Sequence, residues 1–275
     1  GCALFAAISG SSAATVATVG KMSIPELRKR NYPEKILLGS LAGSGTLGLL
    51  IPPSIILIIY GVAVQESIAK LFIAGIIPGI MVALIFMSYV IIWSLINKKK
   101  MPRIIEEFSF LEKVKRSKQL LPVIFLILAV IGSIYTGIAT ATEAASLGVV
   151  GALILSYFQK SLTLENFKSS LLGATKISCM IAFILAGSTF LSLAMGFTGL
   201  PRNLAIWIES MNLSPYVLIF VLMVFYIILG MFLDGISAVV LTMAIIEPMI
   251  RQAGFDMIWF GIFLVIVVEM AQITP

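Results

Sequence analysis

The chain has 275 residues, 60% of them hydrophobic and 12% charged, with a formal net charge of +6 and no histidine. A soluble domain carries about 25% charge, so this composition excludes an ordinary soluble protein. The missing histidine removes the commonest general base and the commonest zinc ligand.

Residues 5–20, FAAISGSSAATVATVG, place glycine and three hydroxyls in the middle of an apolar run. Residues 1–20 therefore read as a re-entrant hairpin: an apolar arm, a small polar tip at Ser9-Gly10-Ser11-Ser12, and a second arm. Gly10 permits the tight turn. The second arm begins at the tip, so its N–H groups and dipole favour an anion, while the carbonyls ending the first arm favour a cation. An ordinary turn between two helices is the simpler reading, but it would belong at the surface. Lys21, Arg28, Lys29, Arg30 and Lys35 follow as a loop.

Residues 36–62 read as a transmembrane helix that is interrupted. Gly43, Gly45 and Gly48 weaken it, and Pro52-Pro53 remove two backbone donors. The freed carbonyls need partners at a depth without water, and a cation is one. Alternatively, the glycines serve only close helix packing. A helix over 71–96 leads to a cytoplasmic loop at 98–118, rich in Lys with Glu106, Glu107 and Glu112.

Helices are expected at 119–135, at 143–158 and from 177 to about 197. Glu143 follows Thr142 at a helix start, where capping by Thr142 competes with a transport role. Residues 200–211 read as a short interfacial helix anchored by Trp207. Residues 215–250 form a second hairpin with Asp234 at its tip, either neutralising a cation or capping the second arm. Residues 256–275 form a second interrupted helix containing Glu269. A carboxylate inside such a segment is a functional candidate. Cys2 and Cys179 lie singly in apolar segments and read as packing residues.

With two hairpins that turn back, only Lys70, Arg202 and Arg251 of the 19 basic residues fall outside the side that carries the rest. The rest mark the cytoplasm, so the basic charge orients the chain in a bilayer and does not bind nucleic acid. At an offset of 223, Ser11-Ser12 faces Asp234-Gly235, Pro25 faces Pro248, and Ile51-Pro52 faces Thr274-Pro275. The expected fold is an all-α integral membrane protein. It is an inverted-repeat secondary transporter with two re-entrant helical hairpins and two interrupted transmembrane helices. The first repeat is 1–97 and the second 119–275, within one transport domain over 1–275. The absence of an initiating methionine suggests an internal fragment of a longer chain. A channel would more often repeat its filter by oligomerising. An intramembrane enzyme lacks a Ser-Lys or paired-Asp constellation here.

The motifs AAISGSSAATVATVG, GSLAGSGTLGLLIPPS, ATEAASLG, GMFLDGIS and GFDMIWFG…ITP resemble the large membrane subunit of tripartite ATP-independent periplasmic (TRAP) transporters, the DctM-like permeases. The family usually has proline before the Thr-Glu pair, where this chain has Ala141. The resemblance implies a multi-pass permease of the bacterial inner membrane that imports an organic acid by an elevator mechanism. Substrates of the C4-dicarboxylate, sialic acid or sugar acid type are implied, with about two or more Na+ ions as coupling ions and no organic cofactor. The implied partners are a small membrane subunit and a periplasmic substrate-binding protein. A related ion-coupled carboxylate carrier working without a binding protein is the alternative. Carried over by motif, one sodium site would use Ser9, Ser11 or Ser12 with Gly45, Thr46 and Pro52. The other would use Asp234, Gly235, Ser237, Gln272 and Thr274. Substrate would lie between the tips, near Gly10, Ser12, Ser54, Asp234 and Thr274.

Overall fold

The computed structural model describes residues 12–102, 121–199 and 214–274, together with Cys2, Phe5, Gly10, Asn203 and Ile206. Among these, the regular elements are α1 (Ser12–Lys29), α2 (Glu34–Gly45), a 3-10 turn (Thr46–Leu49), α3 (Ile55–Ala63) and α4 (Ile68–Ile96). A second 3-10 turn, Lys98–Lys100, follows α4. They continue as α5 (Leu121–Tyr135), α6 (Ala141–Phe158), α7 (Leu164–Thr198), α8 (Pro215–Gly230), α9 (Gly235–Gln252) and α10 (Met257–Ile273). α4, α6, α7 and α9 are long and apolar enough to cross a bilayer, and α5, α8 and α10 are shorter apolar helices. Most of the first hairpin arm, the 103–120 part of the expected cytoplasmic loop and most of the expected interfacial helix lie outside the described residues.

The first interrupted helix is present as expected. α2 tightens into the 3-10 turn at Thr46–Leu49, and the chain then leaves helical geometry through Pro52-Pro53 before α3 begins at Ile55. The Pro52–Pro53 peptide bond is cis. Ser54 restarts the helix: its hydroxyl accepts from Leu57 N at 3.4 Å and donates to the Leu49 carbonyl.

Three expectations need correction. The basic loop after residue 20 is mostly helix, because α1 runs through Pro25 to Lys29. A proline costs one helical bond there, while Arg28 and Lys29 in the last turn suit the negative end of the dipole, and Arg30 pairs with Glu26 at 3.0 Å. The helix from 177 is also longer. α7 starts at Leu164, where Thr163 accepts from Asn166 N at 3.1 Å, and no proline interrupts it as far as Thr198. Lys168 and Lys176 therefore lie on a helix of 35 residues, about 50 Å long. Third, α6 is capped by Thr140 and not by Thr142. Thr140 Oγ1 accepts from Glu143 N at 3.3 Å, and Glu143 Oε2 accepts from Thr140 N at 2.8 Å. Thr140-Ala141-Thr142-Glu143 is a capping box, in which the three-residue spacing decides.

α1 begins at Ser12 and α9 at Gly235, and both have 18 residues. α2 begins at Glu34 and α10 at Met257. Both pairs of starts keep the offset of 223, and Pro25 and Pro248 sit inside the matching helices.

The core joins α3 and the first break to α8, α9 and α10. Leu50, Ile56, Leu57 and Tyr60 pack with Tyr226, Val239, Met243, Phe260, Leu264 and Val268. Small residues set the closest approaches, as expected where lipid competes with apolar packing. A Cβ on Gly261 would lie 2.5 Å from the Tyr60 ring, and one on Gly230 would lie 2.5 Å from Ala271 Cβ. The two buried tyrosine hydroxyls are paired: Tyr60 Oη donates to the Met257 carbonyl at 2.6 Å, and Tyr226 Oη and Thr242 Oγ1 are 2.6 Å apart. By contrast, α4 and α7 present Ile77, Phe183, Phe190 and Phe197 outward, the pattern of lipid-facing helices.

Candidate functional site

The start of α1, the turn before α9 and the first break converge. Gly10 is buried and left-handed, with φ +58°. A Cβ there would lie 2.9 Å from the Pro53 carbonyl oxygen, so the first tip rests on the backbone of the break. Ser12 opens α1, and its hydroxyl reaches Gln272 Oε1 of α10 at 3.5 Å. The amide nitrogen of the same Gln272 lies 3.0 Å from where a Gly235 Cβ would be. Gly235, the first residue of α9, is buried against Val268 and against Ile56 just past the break. Gln272 thus stands between Ser12 of one tip and Gly235 of the other.

Asp234 caps α9, with Oδ2 accepting from Ile236 N at 3.1 Å and Ser237 N at 3.2 Å. Its side chain is at the exposed end of the tip, and both bonds use one oxygen. Thr46 is buried in the 3-10 turn, where its hydroxyl donates to the Gly43 carbonyl at 2.8 Å and keeps its lone pairs. Pro52 is buried in the break. Pro52 and Pro53 have no N–H, so the carbonyls of Gly48 and Leu49 lose their helical donors. The Ser54 hydroxyl takes Leu49, and among the described residues no backbone donor reaches Gly48. Hydroxyl, carbonyl and amide oxygens thus line the first break and the facing side of α10, the oxygen-donor type that suits hard cations.

Other expected residues lie differently. Ser9 and Ser11 lie outside the described residues. Gly45 faces α1 so closely that a Cβ would fall 2.1 Å from Val16 Cγ2, so close packing is part of its role. Ser54 is fully buried with its hydroxyl engaged by the backbone, and the Thr274 hydroxyl turns back to the Met270 carbonyl at 2.7 Å. Glu143 is exposed and bonded to Thr140. Glu269 is buried in α10.

A family model described as "Tripartite ATP-independent periplasmic transporter, DctM component" matches residues 1–275. The chain belongs to this family. It is 34% identical over 275 residues to the C4-dicarboxylate TRAP transporter large permease protein DctM of Pseudomonas aeruginosa, covering 100% of this chain and 64% of that protein. It is 31% identical over 278 residues to the isethionate TRAP transporter permease protein DctMQ of Oleidesulfovibrio alaskensis, covering 100% of this chain and 43% of that one. To the ectoine/5-hydroxyectoine TRAP transporter large permease protein UehC of Ruegeria pomeroyi it is 29% identical over 276 residues, covering 100% of this chain and 64% of the relative. The DctM-family chain thus spans somewhat less than two thirds of such relatives. Its relatives are named as permeases, a family that is not enzymatic, and its apolar helices are those of a multi-pass membrane protein.

Two features of this DctM-family site were missed in the sequence. Gln272 was assigned to the second ion site alone, and nothing in its neighbours signals that it also meets Ser12. Leu50, an apolar residue in the break, brings its backbone to Glu269. The only trace in sequence is that Glu269 and Gln272 are three apart and so share one helix face.

Proposed function

We propose that this chain carries the transport site of a TRAP large permease that imports an organic acid across the bacterial inner membrane, coupled to sodium. It works with a small membrane subunit and a periplasmic substrate-binding protein. The observation that carries the reading is Gln272 standing between Ser12 and Gly235, which links both tips to the break in one packed body. Family membership and the substrates printed in the relatives' names, a C4-dicarboxylate, isethionate and ectoine, support a small, polar and mostly anionic cargo.

In this reading sodium is cargo. One ion is held near Ser12, Gly45, Thr46 and Pro52, with Ser9 and Ser11 completing the tip. The other is held near Asp234, Gly235, Ser237, Gln272 and Thr274. The positive dipole ends at the starts of α1 and α9 favour an anion, and they attract the substrate's carboxylate or sulfonate. Sodium neutralises the site, so the loaded body crosses the bilayer without stranding charge. Each positive charge moved inward through 100 mV supplies about 2.3 kcal/mol. The core of α3, α8, α9 and α10 is the moving part of an elevator, and α7, with its lipid-facing surface, belongs to the frame.

The test is uptake by the full-length permease, with its small subunit, in proteoliposomes. A C4-dicarboxylate, a sugar acid, isethionate and ectoine are offered with and without a candidate binding protein. Saturable uptake that needs both an inward sodium gradient and the binding protein is expected. Sodium-driven uptake without a binding protein would move the chain to the related carriers, and uptake indifferent to sodium would overturn the coupling.

A further inference from the structure

The expected first ion site is built from neutral groups: Ser12, Gly45, Thr46, Pro52 and the tip serines. The structure brings one formal charge to it, from the other repeat. Glu269 is 4% exposed, and its Oε1 has no hydrogen-bond partner among the described residues. It sits on α10, which packs against the Thr46–Leu49 turn, so its carboxyl group comes near the backbone of Leu50, between Thr46 and Pro52 in the first break. Among the described residues no lysine or arginine pairs with it, since Arg28, Arg30 and Arg251 pair elsewhere.

Glu269 also keeps the repeat offset of 223 from Thr46. Apart from tyrosines, these are two of four buried polar or charged side chains among the described residues, the others being Thr15 and Ser54. The first interrupted helix and α10 thus bury a polar side chain at the same register: a hydroxyl in one, a carboxylate in the other. A carboxylate buried without a counter-charge is strongly unfavourable, and in a low dielectric its attraction for a nearby cation is weakly screened. The carboxyl group is thus held by packing of α10 near the break, where among the described residues the Gly48 carbonyl lacks a backbone donor.

On the basis of the sodium-coupled reading above, we infer that Glu269 is a positioning residue for the first sodium ion: one interrupted helix supplies the charge that the other repeat's neutral ion site lacks. Glu269→Gln keeps the size and an acceptor oxygen and removes the charge. Sodium half-saturation is measured in the full permease complex in two ways, by sodium-dependent uptake and by sodium-induced thermal stabilisation of the purified protein without substrate. The expected result for Glu269→Gln is a rise of about tenfold or more in half-saturating sodium by both readouts, with uptake at saturating sodium largely retained. A half-saturation equal to wild type overturns the inference. Glu269→Asp keeps the charge and decides if the Gln variant does not fold. Half-saturation within about threefold of wild type supports the charge role, and a tenfold rise with the charge retained overturns it. A wild-type protein whose stability and uptake ignore sodium is a separate result: it removes the coupling reading itself, and this inference with it.

Discussion

Gly10 and Pro53 meet so closely that a Cβ on Gly10 would lie 2.9 Å from the Pro53 carbonyl oxygen. The contact joins a hairpin tip to a helix break 43 residues away, and it leaves no room for a side chain. Gly10 is also left-handed at φ +58°, a conformation that costs an L-residue about 1–2 kcal/mol. Gly10→Ala therefore meets both penalties at once. The expected outcome is a tip displaced from the break, with uptake reduced at least about tenfold and a lower thermal midpoint for the purified permease. Uptake at the wild-type rate would show that the tip does not need this contact.

Arg251 ties the end of α9 to the α3–α4 connection. It pairs with Glu247 at 2.9 Å and Glu66 at 3.7 Å, and its Nη2 donates to the Val64 carbonyl at 3.2 Å. The three charged side chains are partly exposed, so each ion pair is worth about 0.2–1 kcal/mol. Arg251→Ala should lower thermal stability modestly, and more at low salt than at high salt. A double-mutant cycle with Glu66→Ala should give a small coupling energy in the same range. In the topology proposed from the charge asymmetry, this end of the molecule lies outside the cell. A cysteine at Gln252 should react with an impermeant reagent added outside, and one at Arg30 only from the cytoplasm. Labelling of both from one side would sink the inverted arrangement.

Glu143 and Asp234 look alike in the sequence, each a carboxylate near the start of an apolar helix. The structure separates them. Glu143 completes a capping box with Thr140, which occupies its carboxylate. Thr140→Ala should lower stability by about 1 kcal/mol. Glu143→Gln retains an acceptor for the Thr140 N–H, so it should leave the sodium dependence of uptake unchanged. A large rise in half-saturating sodium would give Glu143 the transport role that its capping bonds argue against.

The first break was legible because glycine and proline act locally: Pro52-Pro53 mark it wherever the helix goes. The common offset of 223 was legible too, since Pro25 and Pro248 keep the same spacing as the starts of α1 and α9. The limits of α1 were not legible. Basic residues signal the membrane edge in a sequence, yet Lys21, Arg28 and Lys29 are helical here. Contacts at long separation were the least legible. No local pattern tells that Ser12 meets Gln272 or that Leu50 meets Glu269, because such pairs follow from how the helices pack.

The two tips differ in chemistry, and this difference gives the sharpest expectation for Asp234. Its Oδ2 caps two N–H groups of α9 while Oδ1 takes no part in the cap. Asn at this position keeps a capping oxygen and removes the charge, and Asn is as good a cap as Asp. Asp234→Asn should therefore leave thermal stability nearly unchanged. If Asp234 also neutralises a sodium ion, half-saturating sodium should rise by about tenfold or more. Ser12→Ala removes a neutral hydroxyl that only just reaches Gln272, at 3.5 Å, so its effect should be smaller than that of Asp234→Asn. Sodium titrations of uptake for the two variants side by side settle the order. Equal, wild-type sodium affinity in Asp234→Asn would reduce Asp234 to a helix cap and leave Glu269 as the remaining buried carboxylate through which charge could act on the ions.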